Sequence, residues 1–338
     1  MPAQTAAQTA AQTTAQTTAR PTAGSPGRSR RLGLRLGLAL LAATSLPAQA
    51  QTQTQPQAPV RVASKIDTEG SLLGQLIIRT LEAHGIKTEN KLQLGNTKIV
   101  RTALLAGEID LYPEYTGNGA FFLSDEKNPA WKNAQAGYNR VKQLDLERHR
   151  LVWLPAAPAN NTWAIAVRQD LARSQKLVSL ADLGQYVAGG GKLKLAASAE
   201  FVERPDALPA FQAAYGFKLR QDQLLTLAGG DTAVTIKAAA EQTSGVNAAM
   251  AYGTDGPVAA LGLVILDDPQ GVQPVYAPAP VVRAEVLDRQ PRIASVLGPV
   301  FKALDGPTLQ RLNAQIALEG QDARKVAEAF LKSKGLLP

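Results

Sequence analysis

The chain has no cysteine at all. That excludes disulfides, thiolate metal sites, a cysteine nucleophile and a lipid-modified cysteine at a leader junction. Histidine is almost as scarce, with His84 and His149 the only two. They stand far apart in polar, helix-like surroundings, which reads as two solvated side chains and leaves no histidine metal site or catalytic triad. No metal and no cofactor is therefore expected. The glycine pairs and runs at 189–191 and 229–230 lack the Lys-Ser/Thr of a phosphate loop and the spacing of a dinucleotide fingerprint. Ser64 opens neither an S-x-x-K pattern nor a G-x-S-x-G elbow, so its place before Lys65 carries no serine-hydrolase signature. Aromatic residues make up only 5% of the chain, so the setting of each one is informative.

The first 27 residues are Ala, Gln and Thr repeats ending in Pro and Gly, too poor in apolar surface to offset the entropy of ordering. Arg28, Arg30, Arg31 and Arg35 then lead into an apolar run from Leu32 to Leu46, closed by Ala48-Gln49-Ala50 at A-x-A spacing. This reads as a secretory signal peptide cut after Ala50. The run is shorter than the ~20 residues of a permanent membrane span. Ser29-Arg30-Arg31 resembles a twin-arginine leader, whereas Gly33 favours the general route. An exported chain without a lipid anchor fits a periplasm. All five basic residues before Ala50 leave with the leader and no acidic one does, so the formal charge falls from +8 to +3. The basic whole chain is then no argument for nucleic acid, and none is expected as a partner.

From Pro59 onward roughly 280 residues remain, enough for one large or two medium α/β domains. Strands are expected at 60–64, 92–94 and 109–111, with helices at 71–84 and 98–106 ended by Gly85 and Gly107. That β-α-β-α-β alternation implies a parallel sheet with ligand-facing loops at its carboxyl ends. A helix at 141–149 and strands at 151–154 and 164–167 follow, and then a second β/α series. Its strands are read at 193–196, 248–252, 264–266 and 281–282, and its helices at 205–215 and from the cap Asp231 to about 242. The tail, 291–331, is helical in pattern, broken at Gly306-Pro307 and Gly320. Two similar units with a late return to the first suggest a two-lobed α/β protein crossed twice by the chain, at 160–163 and 273–276. The expected organisation is a leader over 1–50, a linker over 51–58, lobe 1 over 59–160 plus 276–338, and lobe 2 over 161–275.

The stretch from Asp110 to Gly119 sets Tyr112 and Tyr115 among Pro, Gly and small polar residues, and reads as a tight turn that presents its rings. Trp163 after Asn160-Asn161-Thr162, Tyr252 before Gly253-Thr254-Asp255-Gly256, and Tyr276 before Ala277-Pro278 recur in similar settings. Rings gathered on loops suit a quaternary ammonium, which donates no hydrogen bond and is drawn to the negative face of an aromatic ring. At about 1 to 2 kcal/mol per desolvated ring, three or four rings supply roughly half of the ~8 kcal/mol of micromolar binding. Tyr112, which directly follows strand residues, reads as scaffold. A zwitterion would also need a cation for its carboxylate, for which Lys65 and Arg204 are candidates in loops of different lobes. Asp110, Glu114, Asp231 and Asp255 are the carboxylates that an acid/base pair could draw on. An exported enzyme acting on a small amine therefore stays open beside a binding protein.

S-K-I-D-T-E-G at 64–70, D-L-Y-P-E-Y-T-G at 110–117, N-N-T-W-A-I-A-V at 160–167, E-F-V-E-R-P-D at 200–206, A-Y-G-T-D-G at 251–256 and Y-A-P-A-P-V-V-R at 276–283 stand in this order. Together they resemble the quaternary-amine substrate-binding proteins of osmoprotectant ABC importers, over 60–331. The resemblance implies a type II periplasmic-binding-protein fold with two lobes and two crossover segments, a monomer, and a membrane permease and ATPase as partners. It implies a cage of Tyr115, Trp163, Tyr252 and Tyr276, with Lys65 and Arg204 on the ligand carboxylate. Asn118 would add a polar contact, and Asn161 a backbone carbonyl. Trp163 stands where many relatives carry tyrosine, and Asn118 where threonine is frequent. The implied ligand is glycine betaine ahead of choline or carnitine, held as Lys65, Tyr115 and Tyr276 of lobe 1 close on Arg204 and Tyr252 of lobe 2.

Overall fold

The computed structural model describes residues 58–337. The leader expected over 1–50 and nearly all of the linker over 51–58 lie outside these residues. Among the described residues, no helix is long and apolar enough to cross a membrane.

Two five-stranded mixed sheets organise the chain. The first contains β1 (Val60–Lys65), β2 (Thr88–Gly95), β3 (Leu111–Tyr115), β4 (Leu151–Trp153) and β10 (Pro278–Arg283), in the order β2-β1-β3-β10-β4. The second contains β5 (Trp163–Arg168), β6 (Leu195–Ser198), β7 (Leu224–Leu227), β8 (Ala248–Tyr252) and β9 (Leu263–Ile265), in the order β7-β6-β8-β5-β9. Each has four strands running in one direction plus one antiparallel strand inserted by a crossing: β10 between β3 and β4, and β5 between β8 and β9. The chain passes between the lobes along 154–162 and 266–277. This is the two-lobed, twice-crossed α/β architecture that the sequence suggested.

The largest correction concerns the supposed turn at Asp110–Gly119. Its first half is β3, a strand buried along its whole length. Alternation along a strand sends successive side chains to opposite faces. Leu111 and Tyr115 join the apolar cluster beneath helix α1 (Thr68–Ala83), whereas Tyr112 joins the cluster around Trp131 and Trp153 on the other face. Pro113 is tolerated because it faces Pro280 on β10, a pair in which neither residue has an N–H to donate. Only the end of the stretch bends, into the short helix Asn118–Phe122. Trp163 likewise opens a strand instead of standing on a turn.

Helix starts fall earlier than periodicity placed them, because capping side chains set them. Asp67 accepts from the backbone N–H of Gly70 at 2.7 Å and starts α1, which brings Glu69 into the first turn. Asn133 starts the helix Ala134–His149 in the same way. The helix expected over 205–215 starts only at Leu208 and ends at Tyr215, and a separate short helix, Ala199–Glu203, precedes Pro205.

Neither histidine is merely solvated. His84 is half-buried against the Thr80 carbonyl at 2.8 Å, and His149 Nδ1 lies 3.0 Å from Asp145 Oδ1. Asp145 is fully buried and bound through both oxygens by Arg101, with Nη1 at 2.7 Å from Oδ2, and also accepts from the Trp153 indole at 2.7 Å. Removing one partner of such a pair leaves the other charged and dry. Arg101→Ala should therefore lower unfolding free energy by about 3 kcal/mol, whereas His149→Ala should cost under about 1 kcal/mol. Urea titration of the purified chain checks both, and a His149 loss matching that of Arg101 would contradict this division.

Candidate functional site

The carboxyl ends of the two sheets face each other across a cleft, and the two antiparallel pairs made by the crossings carry its aromatic rings. In lobe 1, Tyr115 ends β3 opposite Pro278, and Tyr276 stands two residues before that proline. In lobe 2, Trp163 and Tyr252 are directly paired across β5 and β8. These four rings line one cleft together with Lys65, Asn118 and Asn161. Seven of the eight residues singled out from the sequence thus meet there. Arg204 does not line the cleft.

The rings are tightly set. Trp163 and Tyr276 lie 5.7 Å apart at 54°, and Phe201 meets Trp163 edge-on at 5.6 Å from behind. Gly117 lies against Tyr276, where an added Cβ would come within 2.9 Å of the ring, so the motif's glycine permits the approach. The Tyr115, Tyr252 and Tyr276 phenols are all held above their ordinary pKa, chiefly by burial. They stay neutral at physiological pH, with electron-rich faces. Among the described residues the Tyr276 hydroxyl has no hydrogen-bond partner, and the Trp163 indole N–H lies toward Tyr252 without a well-formed bond. The cavity among these side chains is about 30 Å³, roughly the share of one water in the liquid.

Both cations arrive already paired. Lys65 Nζ lies 2.6 Å from Glu114 Oε1 and 4.6 Å from the centre of the Tyr115 ring. Glu114, fully buried, also accepts from Tyr112 Oη at 2.9 Å, Asn118 Nδ2 at 2.8 Å and the Tyr115 N–H at 2.7 Å. Arg204 stands one layer behind, stacked 4.5 Å from Trp163 and 4.1 Å from Phe121. It binds Asp206 through Nε at 2.9 Å and Nη2 at 2.6 Å, and Nη1 donates to Asn118 Oδ1 at 2.8 Å and Glu200 at 3.1 Å. The Arg204–Asn118 bond joins the lobes, as does Thr68 Oγ1 to Asp231 Oδ1 at 3.2 Å. Asn161 turns its side chain away, donating from Nδ2 to Glu69 at 2.6 Å.

Sequence reasoning missed Asp67, Glu69 and Glu200. Asp67 and Glu200 line the cleft, and Glu69 lies behind Tyr115. Only the cap position of Asp67 was open to discovery, from an aspartate three residues before a glycine at the head of an apolar periodic run.

Burial raises the carboxyl pKa of Asp67 to about 6, against the pull of the Gly70 N–H and Lys65. It raises that of Asp255 to about 7, against bonds from the Tyr252 N–H and Thr232 hydroxyl. Both residues are half-buried; Asp67 lines the cleft, whereas Asp255 is bonded to the Tyr252 N–H and the Thr232 hydroxyl instead of lining it. A carboxyl held above its unfolded value binds its proton more tightly when folded, so stability is greatest below about pH 4 and declines as pH rises through 7. Asp255→Asn keeps an acceptor for Tyr252 and removes the charge. Its stability relative to the native chain should therefore rise by about 1 kcal/mol or more between pH 4 and pH 7.5. Urea midpoints at several pH values check this, and a pH-independent difference would contradict it.

Comparison with known proteins gives one consistent result. The OpuAC family, described as the substrate-binding domain of an ABC-type glycine betaine transport system, matches residues 58–333. The glycine betaine-binding protein YehZ of Escherichia coli strain K12 is 68% identical over 295 residues, covering 87% of this chain and 95% of that protein. A glycine-betaine-binding protein of Pseudomonas aeruginosa is 33% identical over 286 residues, covering 82% of this chain and 88% of its own. Among solved structures, apo YehZ from Escherichia coli superposes with a TM-score of 0.62 over 83% of this chain and 100% of that one.

Proposed function

The chain belongs to the family of substrate-binding domains of ABC-type glycine betaine transport systems, and from that membership we propose that it captures glycine betaine in the cleft between its lobes. It then delivers the ligand to a membrane permease whose partner ATPase drives uptake. The observation that supports this most directly is the convergence of Tyr115, Trp163, Tyr252 and Tyr276 from both lobes on one cleft. A trimethylammonium group gains there from ring faces while losing little hydration.

The carboxylate has two cations to meet. Lys65 lies in the cleft and would turn from Glu114 toward the ligand, or share itself between the two. Arg204 would reach the ligand by exchanging the Asn118 and Glu200 bonds of Nη1, keeping Asp206 as its fixed partner. Asn118 would donate to the same carboxylate by turning Nδ2 from Glu114, since its bond to Arg204 uses only its oxygen. We assign the chain no reaction. Asp110 is bound to Arg61, Glu114 to Lys65, Asp231 caps a helix and Asp255 holds the Tyr252 backbone, so each acid/base candidate already has structural work. The leader read from the sequence and the transport role together favour a periplasmic location.

A second reading has one observation in its favour. Asp67 and Glu200 line the same cleft, which suits a cation without a carboxylate, such as choline. Titration calorimetry of the mature chain with betaine, choline and carnitine separates the two, with heat expected from betaine; no heat from any of them would sink the cage. Tyr276→Ala should weaken betaine about tenfold or more. Arg204→Ala removes the shelf beneath Trp163 for every ligand, so the informative quantity is the extra loss for betaine over choline. We expect that excess to be about tenfold, and equal losses would make Arg204 a support alone.

A further inference from the structure

Glu69 is a buried carboxylate to which the binding scheme above gives no part. It is 5% exposed, in the first turn of α1, and stands behind the cage instead of lining it. Its Oε1 accepts from Tyr115 Oη at 2.9 Å and Asn161 Nδ2 at 2.6 Å. Its Oε2 accepts from Thr254 Oγ1 at 2.6 Å and Asn313 Nδ2 at 2.6 Å. The four donors come from four places: the end of β3, the first crossing, the loop after β8 in lobe 2, and the helix Gly306–Ala317. All are neutral groups.

Two features show that the network is arranged around this carboxylate. A carboxylate offers about four lone-pair positions, and four donors fill them. The amides of Asn161 and Asn313 turn their nitrogens to Glu69 while both of their oxygens remain buried without a partner. The positive end of α1 adds to the preference for an anion in its first turn. A filled, buried network of this kind fixes the geometry of every member.

We propose that Glu69 is a positioning residue that ties the orientation of the Tyr115 ring to the angle between the lobes. One carboxylate holds the cage wall, the crossing and a loop of the opposite lobe. When the Thr254 loop withdraws, Glu69 loses one donor and its hold on Tyr115 and Asn161 changes with it. The ring is then set for ligand only when the lobes stand correctly. This rests on the cleft being the ligand seat, and it makes the cage a property of the closed state.

The test uses the absence of native cysteine. Gln143→Cys in lobe 1 and Lys218→Cys in lobe 2, both exposed, carry a fluorescent pair that reports lobe separation in the mature chain. Glu69→Ala should shift the ligand-free separation and weaken betaine about tenfold or more. Thr254→Val cuts only the lobe 2 arm and Tyr115→Phe only the cage arm; each should weaken betaine about threefold, and together they should lose less than the product. Losses that multiply, or a Glu69→Ala chain that loses stability with separation and affinity both within about twofold, would overturn the proposal. If Glu69→Ala does not fold, the Thr254 and Tyr115 cycle decides alone. A native chain that binds no betaine sinks the transport reading instead, and the same cycle read on ligand-free separation still decides whether Glu69 couples the two.

Discussion

The cage exists because the chain crosses between the lobes twice and each crossing delivers an antiparallel strand into a parallel sheet. β10 runs back along β3 and brings Tyr276 beside Tyr115, while β5 runs back along β8 and sets Trp163 opposite Tyr252. A purely parallel sheet would send its strands out in one direction and gather only loops at the cleft. Antiparallel insertion places a strand start beside a strand end, so Tyr115, Trp163 and Tyr252 are held by backbone pairing and Tyr276 stands two residues before β10. Rings fixed in this way lose little rotamer freedom on binding, and most of the contact energy is available to the ligand.

The same constraint explains what could be read from the sequence. Strand and helix order, the two lobes and the crossings follow from alternating periodicities, and the four cage rings were marked by surroundings rich in Asn, Thr, Gly or Pro. At Tyr112, Tyr115 and Trp163 those surroundings were misread as turns. Pro113 and Gly117 are the residues of a turn, but here Pro113 sits where its partner is Pro280, and Gly117 makes room for Tyr276. Both causes lie more than 150 residues away in sequence. β7, Leu224–Leu227, escaped notice because it is a four-residue edge strand without clear alternation. Glu69 escaped for a different reason: its partners at 115, 161, 254 and 313 share no local pattern with it.

Charge in the cleft follows a rule of prior occupancy. Lys65 has Glu114, Arg204 has Asp206 and Glu200, and Glu69 has four neutral donors. A buried cation with no partner would strongly oppose closure of an empty cleft. Partnered cations remove that penalty, and on the proposed reading they create another, since a ligand carboxylate would have to displace an internal acceptor before gaining a full charge-assisted bond. Discrimination between a zwitterion and a simple cation thus depends on the difference between two ion pairs, a smaller quantity than the strength of either one.

Asp67 in the cleft and Asp255 against the Tyr252 backbone extend this logic to carboxyl groups. They hold protons up to about 6 and about 7 because burial removes water from them. Near neutral pH, the fold must therefore either protonate these groups or hold them charged and dry. On the proposed reading, an arriving trimethylammonium offsets part of that cost, since a cation among the four rings stabilises nearby carboxylates as well as gaining from the ring faces. The aromatic cage and the acidic rim then act in the same direction, and a cationic ligand is favoured over a neutral one of equal shape at both.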